Sequence, residues 1–151
     1  MGTLSKAAGL AGGYLAASRD WIDLLINRAR SFIFSTAPPP ALAHAALASL
    51  QLIRSSHGHE CRAALRANIA TFQQASGLLP SHTTPILPIM LGSNQAALRA
   101  SAALESQGML VPAIRYPTVP RGSARLRISL SADHSTAAIQ RLAHAIAKTE
   151  D

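Results

Sequence analysis

Apolar positions along this 151-residue chain follow two rhythms, helical in its first half and alternating between strand and helix in its second. In the first half Ile22, Leu25, Ile26 and Ala29 recur on one face of a helix that opens after Ser18, a residue able to cap it. A second helical run, Ala41 to Ser55, carries Leu42, Ala45, Ala46, Leu50 and Ile53. A third, from about Glu60 to Ser76, presents Cys61, Leu65, Ile69 and Phe72 and meets a natural stop at Gly77. Two shorter stretches read as extended: Gly13 to Ala17 (GYLAA) as a buried strand, and Ser31 to Thr36 (SFIFST), which runs into three prolines.

The pattern changes near Leu78. From there it predicts a strand from Pro85 to Leu91, a helix from Asn94 to Gln107 closed by Gly108, and strands at Met109–Arg115 and Ala124–Ser131. A final helix, Ser135 to Lys148, gathers Ile139, Leu142, Ala143 and Ile146 on one face. Residues 76–151 therefore read as a compact α+β unit near the lower size limit of an independent fold. Residues 1–75 offer helices but no sheet of their own, and a lone buried strand needs companions.

Composition narrows the classes. Apolar residues make up 48% of the chain and aromatic ones only 4%, which suits an α/β protein built on Ala, Leu and Ile and argues against disorder. The net charge of +7 is almost wholly arginine, spread from Arg19 to Arg141 without a basic run, so no nucleic-acid partner is expected. Arginines serve equally well for carboxylates and phosphates of small molecules. Cys61 is the single cysteine, which excludes a disulfide framework and fits a reducing, cytoplasmic setting. The His57-Gly58-His59 pair matches neither HxxxH nor HExxH, and no metal is expected. No run is long and apolar enough to span a membrane; Lys6 followed by Ala7–Ala17 copies the outline of a signal peptide, but Gly9, Gly12 and Gly13 interrupt it.

Two stretches carry chemistry. GTLSKAAGLAGG sets Lys6 among glycines, with Thr3 and Ser5 supplying hydroxyls. An amine so placed can form a Schiff base with a carbonyl cofactor, provided that it loses its proton, and bare glycine backbone admits a flat ring or a phosphate. A solvated loop lysine is the alternative, and the absence of GxxxxGK excludes a P-loop. In AIRYPTVPRGSARLRISLSADH, Arg125 and Arg127 are two apart, so on a strand they share one face while Leu126, Ile128 and Leu130 share the other. Two fork-shaped cations beside a YPTVP turn would hold a carboxylate; a plain basic strand face is the alternative.

Taken together, GTLSKAAGLAGGY, ARSFIFSTAPPP and AIRYPTVPRGSARLRISLSADH resemble the α-oxoamine synthases, enzymes dependent on pyridoxal 5'-phosphate (PLP), over essentially the whole chain and in order. The AIRxPTVP and ARLRISL segments look most like the members that work in biotin synthesis, although Tyr116 stands where a second proline is common. The resemblance implies the type I aminotransferase fold, with residues 1–75 the end of the PLP-binding large domain and 76–151 the small C-terminal α+β domain. In that family the GTxxK lysine lies past the middle of a much longer chain, so the expectation is a C-terminal part only, from a truncated reading frame or a late start.

The resemblance also implies roles. Lys6 would be the lysine that bonds the cofactor covalently and then the base that moves the Cα proton; Thr3 would hold the cofactor phosphate, and Ser35 and Thr36 would reach across a homodimer toward the neighbouring one. Arg127 would pair with the amino-acid carboxylate and Thr118 would touch substrate, with Arg125 in support. The implied reaction is decarboxylative condensation of an amino acid, with L-alanine expected, and an acyl-CoA or acyl-ACP, with a pimeloyl thioester expected. The family's aspartate for the pyridine nitrogen and its ring-stacking histidine would both lie before Met1, since Asp20 and Asp23 do not match the position; these 151 residues alone are expected to be inactive. The first half is also expected to expose apolar surface.

Overall fold

The computed structural model describes residues 1–77 and 84–148; the stretch 78–83, where the sequence rhythm changes, lies outside the described residues. The chain divides into two compact units, Met1–His59 and Glu60–Asp151. The first holds β1 (Gly2–Thr3), β2 (Gly13–Tyr14), α1 (Arg19–Arg28), α2 (Arg30–Ile33) and α3 (Pro40–Arg54). A long helix, α4 (Ser56–Ser76), begins at its end and gives most of its residues to the second unit. There follow β3 (Ile86–Gly92), α5 (Asn94–Glu105), β4 (Ala113–Ile114), β5 (Ala124–Ser129) and α6 (Thr136–Ala147).

The first unit has α1 and α3 where the periodicity put them, with Pro40 entering the first turn of α3. Ser18 occupies the cap position of α1 but its side chain makes no capping bond. Both extended stretches come out differently. GYLAA yields only the two-residue β2, exposed rather than buried, because among the described residues β1 is the one strand it pairs with. SFIFST is not a strand: Arg30–Ile33 close a helical turn, with the amides of Phe32 and Ile33 bonded to Ala29 O at 2.9 Å, and the prolines stop it only afterwards. No apolar side chain of this unit is buried, and Trp21, Phe32 and Phe34 are 61, 64 and 73% exposed.

The second unit is built round an antiparallel sheet in the order β3-β5-β4. Pleating sends Leu126 and Ile128 inward, at 0 and 1% exposure, where Leu87 and Ile89 of β3 join them. Ile69 and Phe72 of α4, Leu104 of α5 and Ile139, Ala143 and Ile146 of α6 complete the same core. Ser93 and Ser135 cap α5 and α6 by accepting from the amides of Ala96 and Ala138. Beside the core, the buried amide of Asn68 donates to Ser131 O at 2.9 Å and His134 O at 3.1 Å, fixing the loop between β5 and α6.

The strand expected over Met109–Arg115 shrinks to β4, two residues long. Pro112 has no amide to give a ladder, so the approach to β4 is tied by single bonds instead: Ser101 Oγ donates to Val111 O at 2.6 Å, and the Arg127 amide to Pro112 O at 3.0 Å. At the end of β3 the pairing slips between Met90 and Gly92, whose φ of +75° turns the chain into the cap of α5.

Candidate functional site

Lys6 lies in the loop joining β1 to β2, which pair Gly2 with Tyr14 and Thr3 with Gly13. Inside that frame Leu4 N bonds Gly12 O at 3.0 Å and Leu10 N bonds Leu4 O at 2.9 Å, while Gly9 N donates to Lys6 O at 2.9 Å to close a tight turn. Gly9 and Gly12 hold φ of +66° and +116°, conformations that side chains resist, and the space where a Cβ would stand is open at both. From α3, Ser49 Oγ donates to Ala8 O at 3.0 Å and pins the loop. Lys6 itself is exposed on the turn.

The hydroxyls of Thr3 and Ser5 bond to each other and to the loop backbone. Thr3 Oγ1 accepts from the Ser5 amide at 3.1 Å, lies 2.7 Å from Ser5 Oγ and donates to Gly12 O at 3.3 Å. An exposed primary amine, a pair of adjacent hydroxyls and a bare glycine backbone are a donor set that fits an aldehyde-bearing phosphate such as PLP. Ser35 and Thr36 are exposed beyond α2, and Ser35 Oγ donates to Ser31 O. Their hydroxyls stand free of the Thr3–Ser5 pair's hydrogen bonds.

The second unit carries the arginines. On β5, Arg125 lies opposite Met90 and Ile114, and Arg127 opposite Pro88, all on the sheet face away from the core. Arg125 is half-buried and its Nε donates to Ser123 O at 3.0 Å; Arg127 is exposed. Together with Thr84, Ile86, Pro88, Ile114 and Val119 they line a hollow of about 400 Å³. Thr118 is exposed in the turn after β4, its amide bonded to Arg115 O at 2.9 Å.

Sequence reasoning missed how that turn is held. Asn94, the first residue of α5, accepts from the Tyr116 amide through Oδ1 at 3.2 Å, and the Arg121 guanidinium lies 4.4 Å from the centre of the Tyr116 ring. Asn94 follows Gly92 and Ser93 at the start of the helix, and its separation of 22 residues from Tyr116 carries no local signal. Lys6 and Thr3 thus belong to the first unit, Arg127 and Thr118 to the second. Among the described residues no three His, Cys, Asp or Glu side chains gather as a metal site, and no helix is long and apolar enough to cross a membrane.

Residues 1–146 match the aminotransferase class I and II family, and the chain belongs to it. Within that class it is similar to 8-amino-7-oxononanoate synthase from Bordetella petrii, with 55% identity over 150 residues, 97% of this chain and 38% of that protein. The solved 8-amino-7-oxononanoate synthase of Francisella tularensis superposes with a TM-score of 0.82 at 30% identity, covering 97% of this chain and 43% of that one. A structure of SPT with PLP as an internal aldimine gives 0.84 at 25% identity, over 98% of this chain and 38% of that one. The chain therefore spans well under half the length of these relatives.

Proposed function

We propose that this chain is the lysine-bearing, carboxyl-side part of a PLP-dependent 8-amino-7-oxononanoate synthase, which condenses L-alanine with a pimeloyl thioester, releasing carbon dioxide, in biotin synthesis. The observation that carries the reading is the 55% identity to a synthase of that name across 150 residues, a span that includes Lys6, Thr118 and Arg127. Among the solved structures the margin is small but points the same way, 30% identity to the Francisella tularensis synthase against 25% to SPT.

In this reading Lys6 holds PLP through its amine, and Thr3 holds the phosphate through its hydroxyl, while Ser35 and Thr36 serve the phosphate of a homodimeric neighbour. When bound, PLP supplies the aldehyde carbon and the sink for the electron pair set free at the amino acid's Cα. The chain's own residues do the rest. Arg127 pairs with the amino-acid carboxylate, for which its planar fork is suited. Thr118 offers a hydroxyl to the substrate. The Lys6 amine, once free, takes the Cα proton and keeps it close to the reacting carbon. The positive net charge draws in anionic cofactor and thioester, an attraction that fades with salt.

In this reading the family's ring-pairing aspartate and stacking histidine come from outside these residues, and the chain alone is proposed to turn over no substrate. The test is borohydride reduction of the purified chain with PLP, followed by peptide mass mapping. Reduced pyridoxyl adduct on Lys6, lost in Lys6→Ala, supports the reading. Adduct spread over Lys148 and the N-terminus, unchanged in Lys6→Ala, overturns it.

A further inference from the structure

The outer face of the second unit's sheet presents two guanidinium groups where one amino-acid carboxylate needs only one. Arg125 and Arg127 alternate out of β5 on the same side, about 7 Å apart along the strand. Neither pairs with a carboxylate among the described residues, although the half-buried Arg125 is already held through Nε to Ser123 O at 3.0 Å. That bond leaves both of its terminal nitrogens without a partner there and aims a preset fork. Around the two cations Ile86, Pro88, Ile114 and Val119 give the 400 Å³ hollow aliphatic walls. A concave aliphatic surface with a few fixed cations is the composition of a site for a small amphipathic anion.

We infer that Arg125 is a specificity-determining residue that binds the far carboxylate of an aliphatic ω-carboxy acyl substrate, whose methylene chain lies along Ile86, Pro88, Ile114 and Val119. The assignment rests on the proposed synthase activity, whose two substrates each carry a carboxylate. The amino acid's is lost as carbon dioxide and falls to Arg127; the acyl partner's survives as the nonanoate end of the product. An uncharged acyl end would leave the Arg125 fork desolvated and unpaired, which is how such a site rejects it.

The experiment needs neither cofactor nor turnover. The 151-residue chain is titrated with heptanedioate and with heptanoate at equal ionic strength, following the Nε–H signals of Arg125 and Arg127 by NMR. Heptanedioate is expected to bind about fivefold more tightly, the upper range for exposed ion pairs. Arg125→Gln, which keeps an N–H for Ser123 O, is expected to abolish the preference, and Arg125→Lys to restore part of it. Arg99→Gln, removing an equal charge from α5, should leave it intact. Equal affinity for the two acids in the wild-type chain, or a preference surviving in Arg125→Gln, overturns the assignment. The Lys6 trapping experiment reads the synthase proposal separately, so failure of one is distinguishable from failure of the other.

Discussion

The side chain of Asn94 and the backbone of Tyr116, 22 residues apart, form a two-point clasp. Asn94 Oδ1 accepts from the Tyr116 amide at 3.2 Å, and Nδ2 donates to the Tyr116 carbonyl at 3.5 Å. The first of these is the stronger, and through it the start of α5 holds the turn that bears Thr118. With β4 only two residues long, the sheet contributes little to that hold.

Replacing Asn94 separates the clasp from the helix. Asn94→Ala removes the acceptor, and the Tyr116 amide is expected to exchange with solvent about fivefold faster, the equivalent of about 1 kcal/mol. Asn94→Asp keeps an acceptor oxygen and places negative charge in the first turn of α5, where the helix dipole favours it, so exchange should stay near the parent rate. Hydrogen exchange followed by NMR reads both. Equal protection in parent and alanine variant would mean that the clasp holds nothing.

Much of this organisation was legible in the sequence, and the reason is local. α3, α5 and α6 combine helical periodicity with caps or stops that act within a few residues, and the alternation of Leu126 and Ile128 with Arg125 and Arg127 fixed which face of β5 is buried. The stretches that differed depend on partners the sequence does not name. GYLAA needs neighbouring strands to be buried, Met109–Pro112 lacks an amide at Pro112 for ladder pairing, and SFIFST becomes a helical turn because its backbone bonds back to Ala29. Of the candidate site, the Lys6 loop with its hydroxyls and the shared face of the two arginines were readable from spacing. The Asn94 clasp joins residues far apart in sequence, and no spacing rule reports it.

The core of the second unit should respond sharply to truncation. Leu126 is fully buried at the centre of β5, and Leu126→Ala is expected to cost about 2 to 5 kcal/mol through lost burial and the cavity left behind. Arg127→Ala, one residue on and facing outward, should lie within about 0.5 kcal/mol of the parent. Urea unfolding monitored by circular dichroism measures the difference. Similar costs at the two positions would contradict the assignment of faces.

Asn68 offers a test of polarity inside the core. Its side-chain nitrogen faces the carbonyl oxygens of Ser131 and His134. Asn68→Ala removes the donor to His134 O and leaves Ser131 O only the long bond from the His134 amide at 3.4 Å, and is expected to cost about 1 to 3 kcal/mol. Asn68→Asp is nearly isosteric, but its carboxylate would set negative charge against carbonyl oxygens, which raises the pKa of the new group in the folded state. The aspartate variant should therefore be less stable than the alanine variant at neutral pH, and should recover as pH falls through that raised value and the group protonates. An aspartate variant with no such pH dependence would show that the amide does not donate to this loop.

The first unit buries no apolar side chain, and Trp21, the only tryptophan, stands 61% exposed on α1. Ile22, Leu25, Ile26 and Phe32 line an apolar hollow of about 760 Å³ with β1 and β2. A helix gains most of its stability from packing of its apolar face, so α1 has little to hold it beyond its own backbone bonds, the exposed pair of Arg19 with Asp23 at 3.1 Å and a bond from Asn27 Nδ2 to Asp23 O at 2.7 Å. The purified chain should show solvent-like Trp21 emission open to acrylamide quenching, should bind a hydrophobic dye, and should exchange the amides of α1 far faster than those of β5. Salt should change this little, since the Arg19–Asp23 pair contributes at most about 1 kcal/mol. Blue-shifted, quencher-resistant Trp21 emission at low protein concentration would mean that the face is covered within a single chain. The same emission appearing only as concentration rises would show instead that copies of the chain cover one another's apolar faces, the route by which this surface would lead to aggregation.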